Sequence, residues 1–133
     1  MNYFLAKTDP DTYSLEDFAQ EGATLWDGVH SYAAINFIKQ MKPGDQVYIY
    51  ESQSTKAIVG LAEVVDTPFE NKADPRFSWA VKLRFLQRVS PLSLAEMKAE
   101  PVLKDFVLIK QGRLSTMAVP ASVARWINQR LGI

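Results

Sequence analysis

The chain has 133 residues, 47 % of them hydrophobic and 23 % charged, with no cysteine and a formal net charge of zero. This length and composition suit one domain spanning residues 1–133. They argue against disorder, disulfides and thiolate metal sites, and they fit a reducing compartment, the cytoplasm or the nucleoid. No apolar run approaches the ~20 residues that cross a bilayer. The short apolar start at Met1 to Ala6 lacks the basic region and cleavage site of a signal peptide.

Tyr3-Phe4-Leu5-Ala6 reads as a short buried strand, followed by a turn at Pro10 and Asp11. Ser14-x-x-Asp17 resembles a capping box, so a short helix with Leu15, Phe18 and Ala19 on its apolar face should run to Gly22. The segment Trp26-Asp27-Gly28-Val29-His30-Ser31-Tyr32 reads as a connection with a tight turn at Asp27-Gly28. Ser31 could then cap a second helix, with Ala34, Ile35, Ile38 and Met41 at helical spacing and Pro43-Gly44 as its stop. Gln46 to Tyr50 alternates as a strand, Val47 and Ile49 on one side and Tyr48 and Tyr50 on the other.

Ala57 to Val65 is a strand apolar on both faces, and Gly60 in its middle predicts a bulge or a close backbone approach. Ser78 to Val89 is the clearest strand: Trp79, Val81, Leu83 and Phe85 alternate with Lys82 and Arg84. Ser93-x-x-Glu96 has the form of a complete capping box for a short helix ending at Pro101, with Leu92 and Met97 as its hydrophobic staple. Phe106 to Ile109 reads as a strand, Gln111-Gly112 as a turn and Leu114 to Met117 as a last strand. Pro120 starts a terminal helix with Val123, Trp126, Ile127 and Leu131 inward and Gly132 at its end. Five or six strands without regular βαβ alternation predict an α+β fold, a bent sheet or barrel flanked by helices.

Charge is unevenly spread. Residues 1–66 hold four Lys and ten Asp/Glu, a net of −6; residues 67–133 hold eleven Lys/Arg and five Asp/Glu, a net of +6. Such asymmetry accompanies either nucleic-acid contact or pairing of the two halves. A neutral chain has little non-specific affinity for a phosphate backbone, so a nucleic-acid function needs a pocket or a local basic face. Lys104, Lys110, Arg113, Arg125 and Arg130 could form one, or could simply be a solvated surface.

The chemistry-bearing residues are few. His30 is the only histidine, which leaves no multi-histidine zinc site, and no G-x-S-x-G elbow or glycine-rich phosphate loop is present. His30 could instead line a pocket as a hydrogen-bonding group. Trp26 is either a core plug or a stacking wall for a flat ring beside a helix start. Trp79 and Trp126 fall on apolar faces and read as core, Trp79 being better placed to show an edge to a pocket.

Seven motifs in order carry a family resemblance: Lys7-Thr8-Asp9-Pro10, Trp26-Asp27-Gly28-Val29, Tyr32-Ala33-Ala34-Ile35-Asn36-Phe37, Met41-Lys42-x-Gly44-Asp45, Tyr48-Ile49-Tyr50-Glu51-Ser52, Ala57-Ile58-Val59-Gly60-Leu61-Ala62-Glu63-Val64 and Arg113-Leu114-Ser115. Over nearly its whole length the chain resembles an EVE domain of the PUA-like superfamily, which also holds the YTH and ASCH domains. The resemblance implies a PUA-like bent β-barrel and a non-catalytic pocket for a modified nucleobase in DNA or RNA, typically a modified cytosine flipped out of the strand. It implies Trp26 as aromatic wall, with Lys7, Thr8, Val29, His30, Ser31, Tyr50, Ser52, Leu114 and Ser115 as further ligand-binding residues. Arg113 and Lys110 would meet the backbone, and no metal, cofactor or catalytic residue is implied. Two departures stand out: His30-Ser31 replaces the family's common Arg-Asn, and Glu51 replaces a histidine.

Two other functions are weighed against this reader. One is a hydrolase acting on a modified nucleoside, by analogy with ASCH relatives, with Lys7 and Glu51 as the nearest candidates for its chemistry. The other is a protein-interaction module using the sheet edge or the terminal helix. The reader function predicts that Trp26→Ala abolishes binding with little loss of fold.

Overall fold

A computed structural model describes all 133 residues. The elements follow as β1 (Tyr3–Thr8), α1 (Leu15–Glu21), β2 (Ala23–Val29), α2 (Tyr32–Gln40), β3 (Gln46–Glu51), β4 (Ala57–Val64), β5 (Phe69–Glu70) and β6 (Trp79–Ser93). Then come α3 (Leu94–Lys98), a 3-10 turn (Pro101–Leu103), α4 (Val107–Lys110), β7 (Thr116–Val119) and α5 (Ala121–Leu131). No helix is long and apolar enough to cross a membrane.

Seven strands form one mixed sheet in the order β2-β6-β4-β3-β1-β7, with β5 added to β6. Only β1 and β3 run parallel; every other pair is antiparallel. The sheet curls into a half-barrel, its terminal strands β2 and β7 are not paired to each other, and α2 packs against both β6 and β7 across the opening. This is the bent α+β architecture read from the sequence, with seven strands in place of five or six.

The core is a single cluster of 34 buried apolar residues drawn from both faces of the chain's central strands. Val47, Tyr48, Ile49 and Tyr50 are all buried, so β3 has no solvent face. Tyr48 stacks on Tyr3 and donates its hydroxyl proton to Asn128 of α5, which satisfies its polar end inside the core. Burial drives the Tyr48 pKa well above the ordinary tyrosine range. The buried Asp45 carboxylate accepts from the backbone N–H of Asn2 and of Lys42, both at 2.9 Å, and ties the start of β1 to the turn before β3.

The helix signals are borne out at α1. Ser14 and Asp17 exchange both bonds of a capping box, Gly22 ends the helix at φ 78°, and Leu15 and Phe18 are buried. At α3 only half of the expected box forms. Ser93 accepts from the Glu96 N–H, but the Glu96 carboxylate is held by Arg130 of α5. A bidentate guanidinium on the neighbouring helix outcompetes the reach back to the cap.

Three expectations need correction. Ala23–Val29 is the edge strand β2, not a connection. Trp26 pairs with Val81 and Val29 with Trp79, so three steps on β2 oppose two on β6. That extra residue is a bulge with Gly28 at φ 73°, and it breaks the period-two pattern by which strands are read. Phe106 to Ile109 is not a strand: Val107–Lys110 is one turn of helix. Four apolar residues alone do not separate strand from buried helix. The last strand is Thr116–Val119, two residues later than expected, because Leu114 closes a turn onto the Gln111 carbonyl.

Gly60 satisfies both of its predicted roles. The register of β4 shifts on either side of it, and a Cβ built there would lie 2.4 Å from Leu15 Cδ1 and 3.3 Å from the Gln87 carbonyl oxygen. The α1 helix thus seats Leu15 directly over this glycine. Gly60→Ala should destabilise the fold by about 1–3 kcal/mol through this overpacking, read as a lower urea midpoint with an unchanged m-value.

Candidate functional site

A cleft of about 570 Å³ opens between the end of β1 and the bulged edge strand. Its walls are Lys7, Thr8 and Asp9 from β1 and its exit, Thr12 and Tyr13 from the following turn, and Thr24 to Gly28 from β2. The volume is that of an ordinary small-molecule site.

Each wall residue is set by local structure. The parallel β1–β3 register brings Lys7 opposite Tyr50, and its ammonium lies 5.7 Å from the Tyr50 ring centroid. Lys7 Nζ donates to the Gly112 carbonyl at 2.8 Å, which leaves two of its three N–H donors. Burial pulls the Lys7 pKa below the ordinary lysine range. Thr8 donates to the Tyr13 carbonyl, and Asp9 accepts from the Asp11 N–H, so the β1–α1 turn closes on itself. Tyr13 gives its hydroxyl proton to Glu21; burial first, then that bond, push its pKa up to about 12. Asp27 is exposed and makes no ion pair.

Trp26 is 9 % exposed. It meets Tyr13 and Phe18 edge-on, at ring-centroid distances of 6.1 and 5.8 Å, so the indole is mostly core and borders the cleft with what remains. It is both plug and wall.

The other expected site residues are dispersed. Val29 is buried, and Tyr50 is buried beneath Lys7. The Ser52 hydroxyl donates to the Thr8 carbonyl, and the Ser115 carbonyl accepts from the Lys7 N–H, so both brace the strand that carries Lys7. Ser31 caps α2 by accepting from Ala34. Ser31, Leu114 and Arg113 share a second hollow of about 400 Å³ with Ala33, Gln111 and Gly112. The Lys7–Gly112 bond links the two hollows. Lys110 is paired with Asp105 at 3.0 Å on the surface. His30 does not line the cleft; its Nε2 donates to Asp74 Oδ2 at 2.7 Å. Glu51 is also committed elsewhere, accepting from the Leu15 N–H at the start of α1. The charge asymmetry is partly resolved by pairs between the halves, Glu16 with Arg88 and Glu63 with Arg84.

Sequence reasoning missed Asp9, Thr12, Tyr13, Thr24, Leu25, Asp27 and Gly28 as cleft residues. The bulge that turns Asp27 and Gly28 outward has one sequence signal, an Asp-Gly pair, and that pair reads equally well as a turn.

Two outcomes are expected. Trp26→Ala should cost about 3–5 kcal/mol, as for other buried aromatics, more than the small loss of fold expected from the sequence, and a urea titration checks it. Asp74 is held below the ordinary carboxylate range by the Arg76 amide first, then by His30. A depressed carboxyl contributes stability above the unfolded value and loses it as pH falls through the folded one. Asp74→Asn should thus be less stable at neutral pH and converge with the parent in acid, followed by urea unfolding across the acid range.

The EVE-domain family profile matches residues 2–130. Mouse thymocyte nuclear protein 1 is 36 % identical over 99 % of this chain and 67 % of its own length. The rat protein of that name is 35 % identical over 57 % of the chain and 41 % of its own length, so the chain spans only part of these relatives. Among solved structures, a Rhodopseudomonas palustris protein superposes with a TM-score of 0.91 at 30 % identity, over 99 % of this chain and 94 % of the other. Human THYN1, solved in complex with 5-methylcytosine-containing DNA, superposes at 0.88 with 23 % identity, over 100 % of this chain and 99 % of the other. The profile match over nearly every residue, with the mouse alignment running the length of the chain, makes this protein a member of the EVE-domain family.

Proposed function

We propose that the chain is a non-catalytic reader of a modified cytosine in DNA, and that the cleft between β1 and β2 takes the flipped base. The observation that carries this is the pairing, in one open cleft of about 570 Å³, of a cationic donor with spare N–H groups, Lys7, and an uncommitted carboxylate, Asp27. A cytosine edge presents an amino donor beside ring acceptors; a carboxylate accepts from the amino group and an ammonium donates to the acceptors. The human relative's complex with 5-methylcytosine-containing DNA supports the choice of ligand.

Trp26 serves this function as an edge at the back of the cleft. Its 9 % exposure leaves no open face for full stacking. Contact then comes from the half-buried Tyr13 and from the threonines of the walls. Extruding a base costs a few kcal/mol, less where pairing is already weakened. In-plane hydrogen bonds to charged groups, about 1.5–3 kcal/mol each, can offset that cost. A buried methyl adds roughly 0.8 kcal/mol, about a fourfold preference, so discrimination by the methyl alone is modest. The hydrolase reading loses a candidate, because Glu51 caps α1 and does not line the cleft.

The test is calorimetric titration with 5-methylcytosine-containing and unmodified oligonucleotides, and with the free nucleosides. Saturable binding with a preference of about fourfold for the methylated base is expected. Lys7→Met and Asp27→Asn should each weaken it roughly tenfold, the loss of one charge-assisted bond. Mass spectrometry should return the nucleoside unchanged. No saturable binding to any modified cytosine overturns the reader; product formation replaces it with the hydrolase.

A further inference from the structure

Most of the fold's aromatic rings are sequestered, but Tyr32, Phe69 and Phe77 are exposed, and two of these, Tyr32 and Phe77, meet each other. Tyr32, the first residue of α2, is 75 % exposed, and Phe77, just before β6, is 45 % exposed. Their ring centroids lie 5.9 Å apart at 38°. They come from segments 45 residues apart, so the pair exists only because the fold brings them together. Exposed aromatics lose the burial that normally stabilises them, and a joined pair marks a binding surface more often than a stray one does.

The pair is held in place. Ser31 caps α2 directly before Tyr32. His30 Nε2 binds Asp74 Oδ2 at 2.7 Å, and the Ser78 hydroxyl donates to the same oxygen at 3.1 Å. Asp74 Oδ1 also accepts from the Arg76 N–H at 2.9 Å. The residues before Tyr32 and on both sides of Phe77 are therefore bonded through one carboxylate.

Two cations come from residues next to those that carry the rings. Arg76 adjoins Phe77, and Arg113 lines the smaller hollow with Ser31 and Ala33, the neighbours of Tyr32. Both arginines are exposed and neither is in an ion pair. Glu70, on the same hairpin as Phe77, and Asp74, bonded to His30, are opposing charges nearby. Paired aromatics with free arginines on neighbouring residues are the makings of a stacking platform for single-stranded nucleic acid. The platform is also close to the cleft along the chain. Gly28, on the cleft wall, is four residues from Tyr32, so the two are at most ~14 Å apart. That is about four stacked nucleotides at ~3.4 Å each.

We propose that Tyr32 and Phe77, together with Arg76 and Arg113, form a second subsite that stacks an unpaired base of the strand whose modified base enters the cleft. This deepens the reader function and rests on it for the choice of partner. Binding here is indifferent to modification, so it supplies affinity, and the cleft supplies selectivity.

The experiment uses an unmodified single-stranded octanucleotide, followed by fluorescence anisotropy, beside calorimetry with free 5-methylcytidine. The Tyr32→Ala/Phe77→Ala variant should bind the octanucleotide at least tenfold more weakly, and Tyr32→Phe should bind it as the parent does. Arg113→Gln should lower the slope of log affinity against log salt by about 0.7. Nucleoside binding should be unmoved in all three, and so should the melting temperature, since both rings are exposed. Loss of octanucleotide binding without any nucleoside binding leaves the platform standing and removes the cleft reading. An unchanged octanucleotide affinity in the double variant overturns the platform and points to a protein partner for the patch. Failure of the parent chain to bind the octanucleotide overturns it as well.

Discussion

One extra residue in β2 organises the site. Because three steps on β2 oppose two on β6, Trp26 and Val29 both point into the core, while Asp27 and Gly28 between them are thrown outward. The inward pair anchors the edge strand: Trp26 meets the aromatic rings of Tyr13 and Phe18, and so locks β2 to α1 and to the turn that follows β1. The outward pair becomes the cleft's wall. Gly28 permits this by accepting a φ of 73°, which a side chain would strain. An edge strand without the bulge would present a flat row of unpaired N–H and C=O groups; with it, the edge closes a cleft.

The opposite wall depends on a different constraint, the parallel pairing of β1 with β3. Parallel strands need a long crossover, and here α1, β2 and α2 supply it. The crossover therefore carries the bulged strand, so the topology that joins β1 to β3 also delivers Asp27 across from Lys7. Lys7 is then steadied by three contacts from two separated segments: the Tyr50 ring beneath it, and, from the connection before β7, the Ser115 carbonyl on its N–H and the Gly112 carbonyl on its ammonium. A cation so placed gives up entropy before any ligand arrives, and that pre-organisation lowers the cost of binding.

His30 shows how a departure from a family pattern can be absorbed by structure. At the position where the family resemblance implies an arginine, the imidazole bonds Asp74, and Asp74 in turn gathers Ser78 and the Arg76 amide. The segment before β6 is thus tied to the segment before α2. What the position gives up in charge it returns as order in a connection that carries exposed aromatic side chains.

The amino-acid pattern by itself determined the helix starts at Ser14 and Ser31, the long strand through Trp79 to Phe85, the glycine in β4 and the seven motifs of the family. These signals are local: a cap, a period or a small residue acts within a few positions of itself. Of the cleft, Lys7, Thr8 and Trp26 were legible, through the resemblance. Asp9, Tyr13, Thr24 and Asp27 were not, because no spacing announces that two distant segments face each other across a gap. The bulge hid β2 by breaking its alternation, and the four apolar residues after Asp105 fit a strand and a helix equally well. Only the tertiary structure decided which edge was open, that Glu51 would cap α1, that Glu96 would bind Arg130 and that Trp26 would lie mostly inside. Each is a choice between partners of similar local strength, and long-range packing settles it by fixing which of them is within reach.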